Sequence, residues 1–250
     1  MDGKIVLVTG AANGLGREIA TAFAEKGATL FLVDLAADQL GDVERSLRDK
    51  GIPVTAVTAD LSTEQGIAEC AESFASTHDQ LDVLVNNAGF AYGEIATDFF
   101  GLGMEKWQKF LALNTVAPLL IAEALRPQLA AANGLVINQS SMASYVPGTC
   151  YGVTKAALNA VTFGMASQLG GDGIRCVALA PGLMETQANR DALNDETTAR
   201  LIGMQASPKR PGKPRDIANM ALFLASDEGS FVNNTVLSVD AGNQIRGWRC

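Results

Sequence analysis

Apolar residues fall along this chain in two alternating rhythms. "KIVLVT" (4–9) is an unbroken run rich in β-branched residues that ends at Gly10. After it, Leu15, Ile19 and Phe23 recur every four residues up to Gly27. The first rhythm predicts a buried strand, the second a helix with a glycine stop. The pair then repeats. "ATLFLVD" (28–34) precedes Leu40, Val43 and Leu47, closed by Gly51. "PVTAVTAD" (53–60) precedes a helix whose start is expected at a capping box of Ser62 and Gln65. "DVLVNN" (82–87), a long helical region over about 104–130, "LVINQS" (135–140), a helix over about 149–168, "IRCVALA" (174–180), a helix at 214–226 and "TVLSVD" (235–240) complete the series. The polar stretch 187–206 keeps no clear rhythm and is expected to form a mobile lid.

The strand runs are continuous rather than alternating, the mark of strands covered on both faces in a parallel sheet. Strand–helix alternation without a linker predicts one α/β domain over 1–250. It should be doubly wound and Rossmann-type, with about seven parallel strands flanked by helices.

Composition narrows the partners. The chain is 48% apolar and only 18% charged, a globular balance, and its net charge is −8. An acidic surface repels phosphate backbones, which argues against nucleic acid, and it disfavours docking of an acidic carrier domain. Four scattered cysteines without a C-x-x-C spacing (Cys70, Cys150, Cys176 and Cys250) read as buried free thiols of a reducing compartment. His78, the one histidine, sits in polar "STHDQ" and is expected to be exposed, so neither a metal site nor a Ser–His triad is expected. "MDGKIVLVTG" is wrong for a signal peptide and no apolar segment has the length of a membrane span. A cytoplasmic protein without membrane partners is the expectation.

Chemistry concentrates at the ends of the predicted strands. "TGAANGLG" (9–16) lies between the first strand and the first helix, where Gly10, Gly14 and Gly16 permit a tight turn and let an anion approach the free N–H groups of the helix. Asp34 ends the second strand, where a dinucleotide fold places the acid that bonds the adenosine ribose. A carboxylate there repels a 2′-phosphate. Neither Asn13 nor residues 35–37 supply a positive charge, so NAD is favoured over NADP. Tyr151 and Lys155, in "YGVTK", stand one helical turn apart, a pair that by itself suits any surface helix.

Together these motifs resemble the short-chain dehydrogenase/reductase family: T-G-x-x-x-G-x-G at Thr9–Gly16, "NNAG" at 86–89, Y-x-x-x-K at Tyr151–Lys155, Pro181–Gly182, "RPGKPRDIA" at 210–218 and "VDAG" at 239–242. The resemblance covers nearly the whole chain and implies roles. The cofactor would lie along Gly10, Asn13, Gly14, Leu15 and Gly16, then Asp34 and Leu35. Asp60 and Leu61 would flank the adenine, and Asn87, Ala88 and Gly89 would line the site past the fourth strand. Pro181, Gly182 and Thr186 would meet the nicotinamide end. Lys155 would lower the pKa of Tyr151 and bond the nicotinamide ribose. The tuned phenol would exchange a proton with an alcohol or ketone oxygen. Asn114 would hold a water that steadies Lys155, or cap a helix at a break.

One departure concerns the serine. The family commonly has it thirteen residues before the tyrosine, where this chain has Asn138. The loop reads as shortened by about three residues, and the role falls to Ser141, with Ser140 and Ser144 as rivals. Phe90, Tyr92, Met142, Tyr145, Val146, Met184 and Met204 are candidates for an apolar substrate wall, with Ser141 and Tyr151 at its reacting end, and each could equally be ordinary packing.

The resemblance implies an NAD-dependent alcohol dehydrogenase or ketone reductase, and a homotetramer with two-fold axes through the helices at 104–130 and 149–168; the apolar tail "QIRGW" (244–248) suits burial at another interface. The alternatives are a 3-oxoacyl thioester reductase, a non-catalytic dinucleotide sensor, and an epimerase or dehydratase.

Overall fold

The computed structural model describes residues 1–243; "QIRGW" and Cys250 lie outside them. In chain order the elements are β1 (Ile5–Thr9), α1 (Gly14–Ala24), β2 (Thr29–Asp34), α2 (Ala37–Arg48), β3 (Val54–Thr58), α3 (Glu64–Ala75), β4 (Val83–Asn86) and the short α4 (Glu94–Thr97). Then come α5 (Gly103–Leu111), a π-helical turn (Ala112–Val116), α6 (Ala117–Ala124), α7 (Arg126–Ala131) and β5 (Leu135–Gln139). A 3₁₀ turn (Met142–Tyr145), α8 (Cys150–Leu169), β6 (Arg175–Pro181), α9 (Gln187–Ala192), α10 (Asp195–Gly203), α11 (Pro214–Ala225) and β7 (Thr235–Val239) follow.

The strands form one seven-stranded sheet in the order β3-β2-β1-β4-β5-β6-β7, and every pairing is parallel. This is the doubly wound arrangement that the runs of apolar residues predict. The strand order reverses between β1 and β4, and the crevice at the carboxyl ends of the strands there is where such sheets bind ligands.

Alternation along each strand divides the core in two. Val6, Val8, Leu30, Leu32, Leu135 and Ile137 pack under α1, α2 and α11 against Ile19, Phe23, Leu40 and Leu224. Leu7, Phe31, Leu84 and Val136 face the other way, against Phe74 of α3, Ile121 of α6 and Met165 of α8. Phe23, Phe31 and Phe74 are fully buried, each worth about 1.5–3 kcal/mol over an exposed ring. Between β4 and β5 the core carries a polar pair: Asn86 donates to Asn138 Oδ1 (2.9 Å), and Asn138 donates to Thr162 Oγ1 (2.9 Å).

Four local expectations change. The cap of α3 is Thr63, whose Oγ1 accepts from Gly66 N at 3.0 Å. Ser62 is drawn instead to Asp60 Oδ1 (2.6 Å) and Gln65 to Glu69 (2.8 Å), so the Ser62–Gln65 box does not form. His78 is half-buried, stacked on Phe74 with centroids 5.0 Å apart, and desolvation holds its pKa below the ordinary value. The helical region 104–130 is broken by the π-turn and again at Leu125. Residues 187–206 contain two helices, α9 and α10, with no buried residue in either.

Candidate active site

The glycine turn is stapled to the end of β4. Thr9 Oγ1 accepts from Asn87 N and Ala88 N, both at 3.0 Å, and Asn87 Nδ2 donates to Thr9 O and Gly10 O at 3.0 Å. Gly16 can carry no side chain, because a Cβ there would stand 2.1 Å from Gly10 O. Gly14 differs: its φ is +54° and nothing lies within 4 Å of the position a Cβ would take. Asn13, before α1, gives that helix no side-chain cap; its amide reaches Gln39 Oε1 at 3.3 Å. The first N–H groups of α1 therefore keep their capacity for an anion.

Asp34 closes the same turn from β2. Its Oδ2 accepts from Ala12 N (2.9 Å) and its Oδ1 from Ala36 N (3.0 Å), which leaves the carboxylate beside the turn and Leu35 exposed at its rim. Asp60 accepts from both N and Oγ of Ser62, bonds that lower its pKa, while Leu61 behind it is buried.

The four residues expected to be catalytic converge on α8. Asn114 sits in the π-turn, fully inside the protein. It receives Phe90 N at 2.7 Å and donates to Phe90 O (2.9 Å) and to Thr154 Oγ1 (3.0 Å). Thr154 in turn donates to Tyr151 O at 2.8 Å. Asn114 thus ties the loop after β4 to the turn that carries Tyr151, and it caps no helix. A Cβ on Gly89 would lie 2.9 Å from Asn114 Oδ1 and 3.5 Å from Lys155 Nζ, which puts "NNAG" against the same group.

Tyr151 packs with Ile95, Leu102 and Cys150. Burial pushes its phenol up to about 12; a hydrogen bond with Ser141 opposes the rise and the neighbouring Tyr92 adds to it. The lysine does not lower it here. Lys155 Nζ stands 5.8 Å from the Tyr151 ring centroid and donates to Gln139 O at 2.7 Å, and its own desolvation pulls it down to about 8. The ammonium is thus held by a carbonyl, and burial disfavours its charged form.

The serines separate by partner. Ser140 Oγ donates to Asn159 Oδ1 (2.6 Å), Asn159 Nδ2 donates to Ser144 Oγ (3.0 Å), and Ser144 Oγ donates to Ser141 O (2.7 Å). Ser141 is the one that meets the phenol. Its Oγ also accepts from Ala143 N at 3.1 Å. Asn138, thirteen residues before Tyr151, is fully buried in the polar pair with Asn86.

Where the nicotinamide is expected, Gly182 approaches Asp240 so closely that a Cβ would lie 2.7 Å from Asp240 Cβ. Pro181 ends β6, and Thr186 caps α9, its Oγ1 accepting from Asn189 N at 3.2 Å. The expected substrate wall is only partly gathered. Met142 is half-buried beside Ser141. Tyr145 turns its hydroxyl to Ser238 Oγ, 3.0 Å away. Met184 is 4% exposed and belongs to the core beside Gly212, because Leu183–Gly212 backbone bonding pulls that segment inward. Phe90 lies edge-on to Phe110, Val146 is exposed and Met204 is half-buried.

Nothing in the sequence marks Thr154 and Asn159, although they lie three and eight residues after Tyr151 on the same helix. Tyr92, a candidate for the substrate wall, turns its hydroxyl to Asn189 Oδ1 of α9 at 3.3 Å.

A dinucleotide crevice, a half-buried tyrosine beside a serine and a lysine one turn on define an oxidoreductase site. Comparison with known proteins agrees. The model of a family described as enoyl-(acyl carrier protein) reductase matches residues 10–244. The 7alpha-hydroxysteroid dehydrogenase of Escherichia coli K12 is 32% identical over 247 residues, covering 97% of this chain and 94% of that protein. A 7alpha-hydroxysteroid dehydrogenase structure complexed with NADH and 7-oxo glycochenodeoxycholic acid superposes with a TM-score of 0.90 at 30% identity over 97% of this chain and 94% of the other. L-sorbose reductase from Gluconobacter frateurii, complexed with NADPH and L-sorbose, gives 0.87 at 31% identity and 97% coverage of both chains. The chain belongs to the short-chain dehydrogenase/reductase family.

Proposed function

We propose that this protein is an NAD(H)-dependent oxidoreductase acting between a secondary alcohol and its ketone, on a substrate of apolar character. The observation that carries the reading is Ser141 beside Tyr151, with Lys155 Nζ 5.8 Å from the Tyr151 ring. A dinucleotide sensor has no use for a phenol set beside a serine hydroxyl and a lysine.

The residues present fit the cofactor. The uncapped start of α1, with open space at Gly14, suits a pyrophosphate. Asp34 at the rim suits ribose hydroxyls and opposes a 2′-phosphate, which favours NAD, although relatives of both kinds are known by their complexes with NADH and NADPH. Asp60, Leu61, Ala88, Gly89, Pro181, Gly182 and Thr186 would complete its surroundings. Bound there, the nicotinamide supplies or accepts the hydride. Ser141 would hold the substrate oxygen by a hydrogen bond, and Tyr151 would give or take the proton at that oxygen. A phenol near 12 stands protonated at neutral pH, so its resting form is ready to donate to a ketone. Lys155 would leave Gln139 O for a ribose hydroxyl, and Asn114 would hold the Phe90 loop and α8 in register.

The helices α9 and α10 would form a lid over this site, latched by Tyr92 and Asn189. The names of the hydroxysteroid dehydrogenase and the sorbose reductase point to the alcohol–ketone class. The matching family model favours a second reading, a thioester reductase, which the net charge of −8 opposes by disfavouring an acidic carrier. We also place the protein in the cytoplasm, where the described cysteines Cys70, Cys150 and Cys176, all buried and unpaired, suit a reducing medium. A homotetramer would cover Val116, Leu119 and Phe163, which stand 39–43% exposed on the helices around the π-turn and on α8; light scattering tests it.

The function is tested by following nicotinamide absorbance with a panel of alcohols and ketones. Turnover should appear on at least one ketone. Tyr151→Phe should lower it by roughly 10²–10⁴-fold while NADH still binds. Full activity of that variant would end the mechanism.

A further inference from the structure

We infer that the side chain of Gln139 is a recognition group of the dinucleotide site, made to hydrogen-bond the nicotinamide half of the cofactor. The inference rests on the dinucleotide reading above and adds a residue to it.

Gln139 ends β5 and is 5% exposed. Both polar atoms of its carboxamide, Oε1 and Nε2, are buried without a hydrogen-bond partner. On the opposite face, toward α8, the polar side chains of Asn138, Ser140, Thr154, Asn159 and Thr162 all have hydrogen-bond partners, while Asn86 Oδ1 beside them is idle as well. A buried amide with both ends idle is costly to a fold, and a leucine or isoleucine would remove that cost. The residue is therefore better explained by something it binds than by the packing it provides.

Position says what that is. Strand alternation puts Gln139 on the face of Leu135 and Ile137, which pack with α1, α2 and α11. That face carries the uncapped start of α1. The Gln139 main chain meanwhile holds Lys155 Nζ, and two residues on stands Ser141, the partner of Tyr151. Its register partner on β6 is Leu179, two residues before Pro181. A dinucleotide with its phosphates at α1 and its reacting ring at Tyr151 must cross the end of β5. The part that crosses there is the nicotinamide half, whose carboxamide and ribose diol each offer a donor and an acceptor. A glutamine amide offers the same pair in return.

The test compares NADH with ADP, which lacks both the nicotinamide and its ribose, by calorimetry on wild type and on Gln139→Met, a swap that keeps the volume. Loss of the hydrogen bonds should weaken NADH about tenfold and leave ADP unchanged, with the unliganded variant melting no lower than wild type. Unchanged affinity for both ligands would show that the amide is served otherwise, by water for example, and would overturn the inference; so would an equal loss for both, which marks a general effect on the fold. Should Gln139→Met not fold, Gln139→Asn makes the same comparison with the amide withdrawn by one methylene, and equal NADH affinity there overturns it. If wild type binds neither ligand, the dinucleotide reading fails and this inference with it; if wild type binds both and the variants match it, only the role of Gln139 fails.

Discussion

Lys155 aims its ammonium at the carbonyl oxygen of Gln139, 2.7 Å away, and not at the phenol one helical turn earlier. Both titrating groups of the Y-x-x-x-K pair are therefore shifted by burial, in the directions that keep each neutral.

The shifts set a pH dependence of stability. Lys155 lies near 8 in the folded protein against an ordinary 10.5. Between these values the unfolded chain binds more protons, so stability rises with pH. The cost of burying the ammonium is fully present below about pH 8 and is relieved above it. Tyr151 works the other way: its pKa rises from 10 to about 12, so the folded chain keeps the proton longer and stability falls above about pH 10. Urea melts of wild type and Lys155→Met should show the gap moving in favour of wild type between about pH 8 and 10. A gap independent of pH would contradict the burial of a charged lysine.

The three serines should divide by role. Ser140→Ala and Ser144→Ala each remove a bond in the Asn159 cluster and should lower stability by about 1 kcal/mol with activity kept within a few-fold. Ser141→Ala loses the bond from Ala143 N and should cost a similar amount of stability, and it alone should lower turnover by roughly 10²-fold. Activity lost at Ser140 or Ser144 and retained at Ser141 would mean that the shortened loop has been aligned wrongly.

Asp34 should govern the cofactor. Asp34→Asn keeps the acceptor for one backbone N–H and removes the charge. The preference for NAD over NADP, measured as the ratio of kcat/KM, should fall by roughly tenfold, about 1.4 kcal/mol. Equal use of both cofactors by wild type would remove the basis for the choice.

The lid should answer to Tyr92. Tyr92→Phe deletes the hydroxyl that reaches Asn189 and leaves the ring. The expected result is a several-fold rise in KM for the organic substrate with the Kd for NADH unchanged, and faster proteolysis within 187–203. Unchanged KM and cleavage would mean that the contact holds nothing shut.

The sheet was readable because parallel strands must be apolar on both faces, and "KIVLVT", "ATLFLVD" and "DVLVNN" carry that signature in the sequence itself. The glycine turn and Tyr151 were readable because their residue types are tied to their spacing. What escaped depends on who meets whom. Thr63 displaced Ser62 as a cap because Asp60 competes for the Ser62 hydroxyl, a contest invisible in spacing. The helices α9 and α10 bury nothing, so no apolar rhythm announced them. The sign of the Tyr151 shift depends on solvent exclusion and on a carbonyl sixteen residues before Lys155. Gln139 reads as one polar letter in a strand, and only its lack of partners sets it apart.

The π-turn at Ala112–Val116 has a bearing on how this chain can change over generations. Such a turn holds one residue more than an α-helical turn. Deleting one residue of the five would return the segment to an α-helix whose two flanks keep their facing, because the wide turn takes up the surplus residue. What would go is the wide turn itself, and with it the seat from which Asn114 reaches Phe90 and Thr154. The length of the segment is therefore tied to the site and not to the outer surface at Val116 and Leu119.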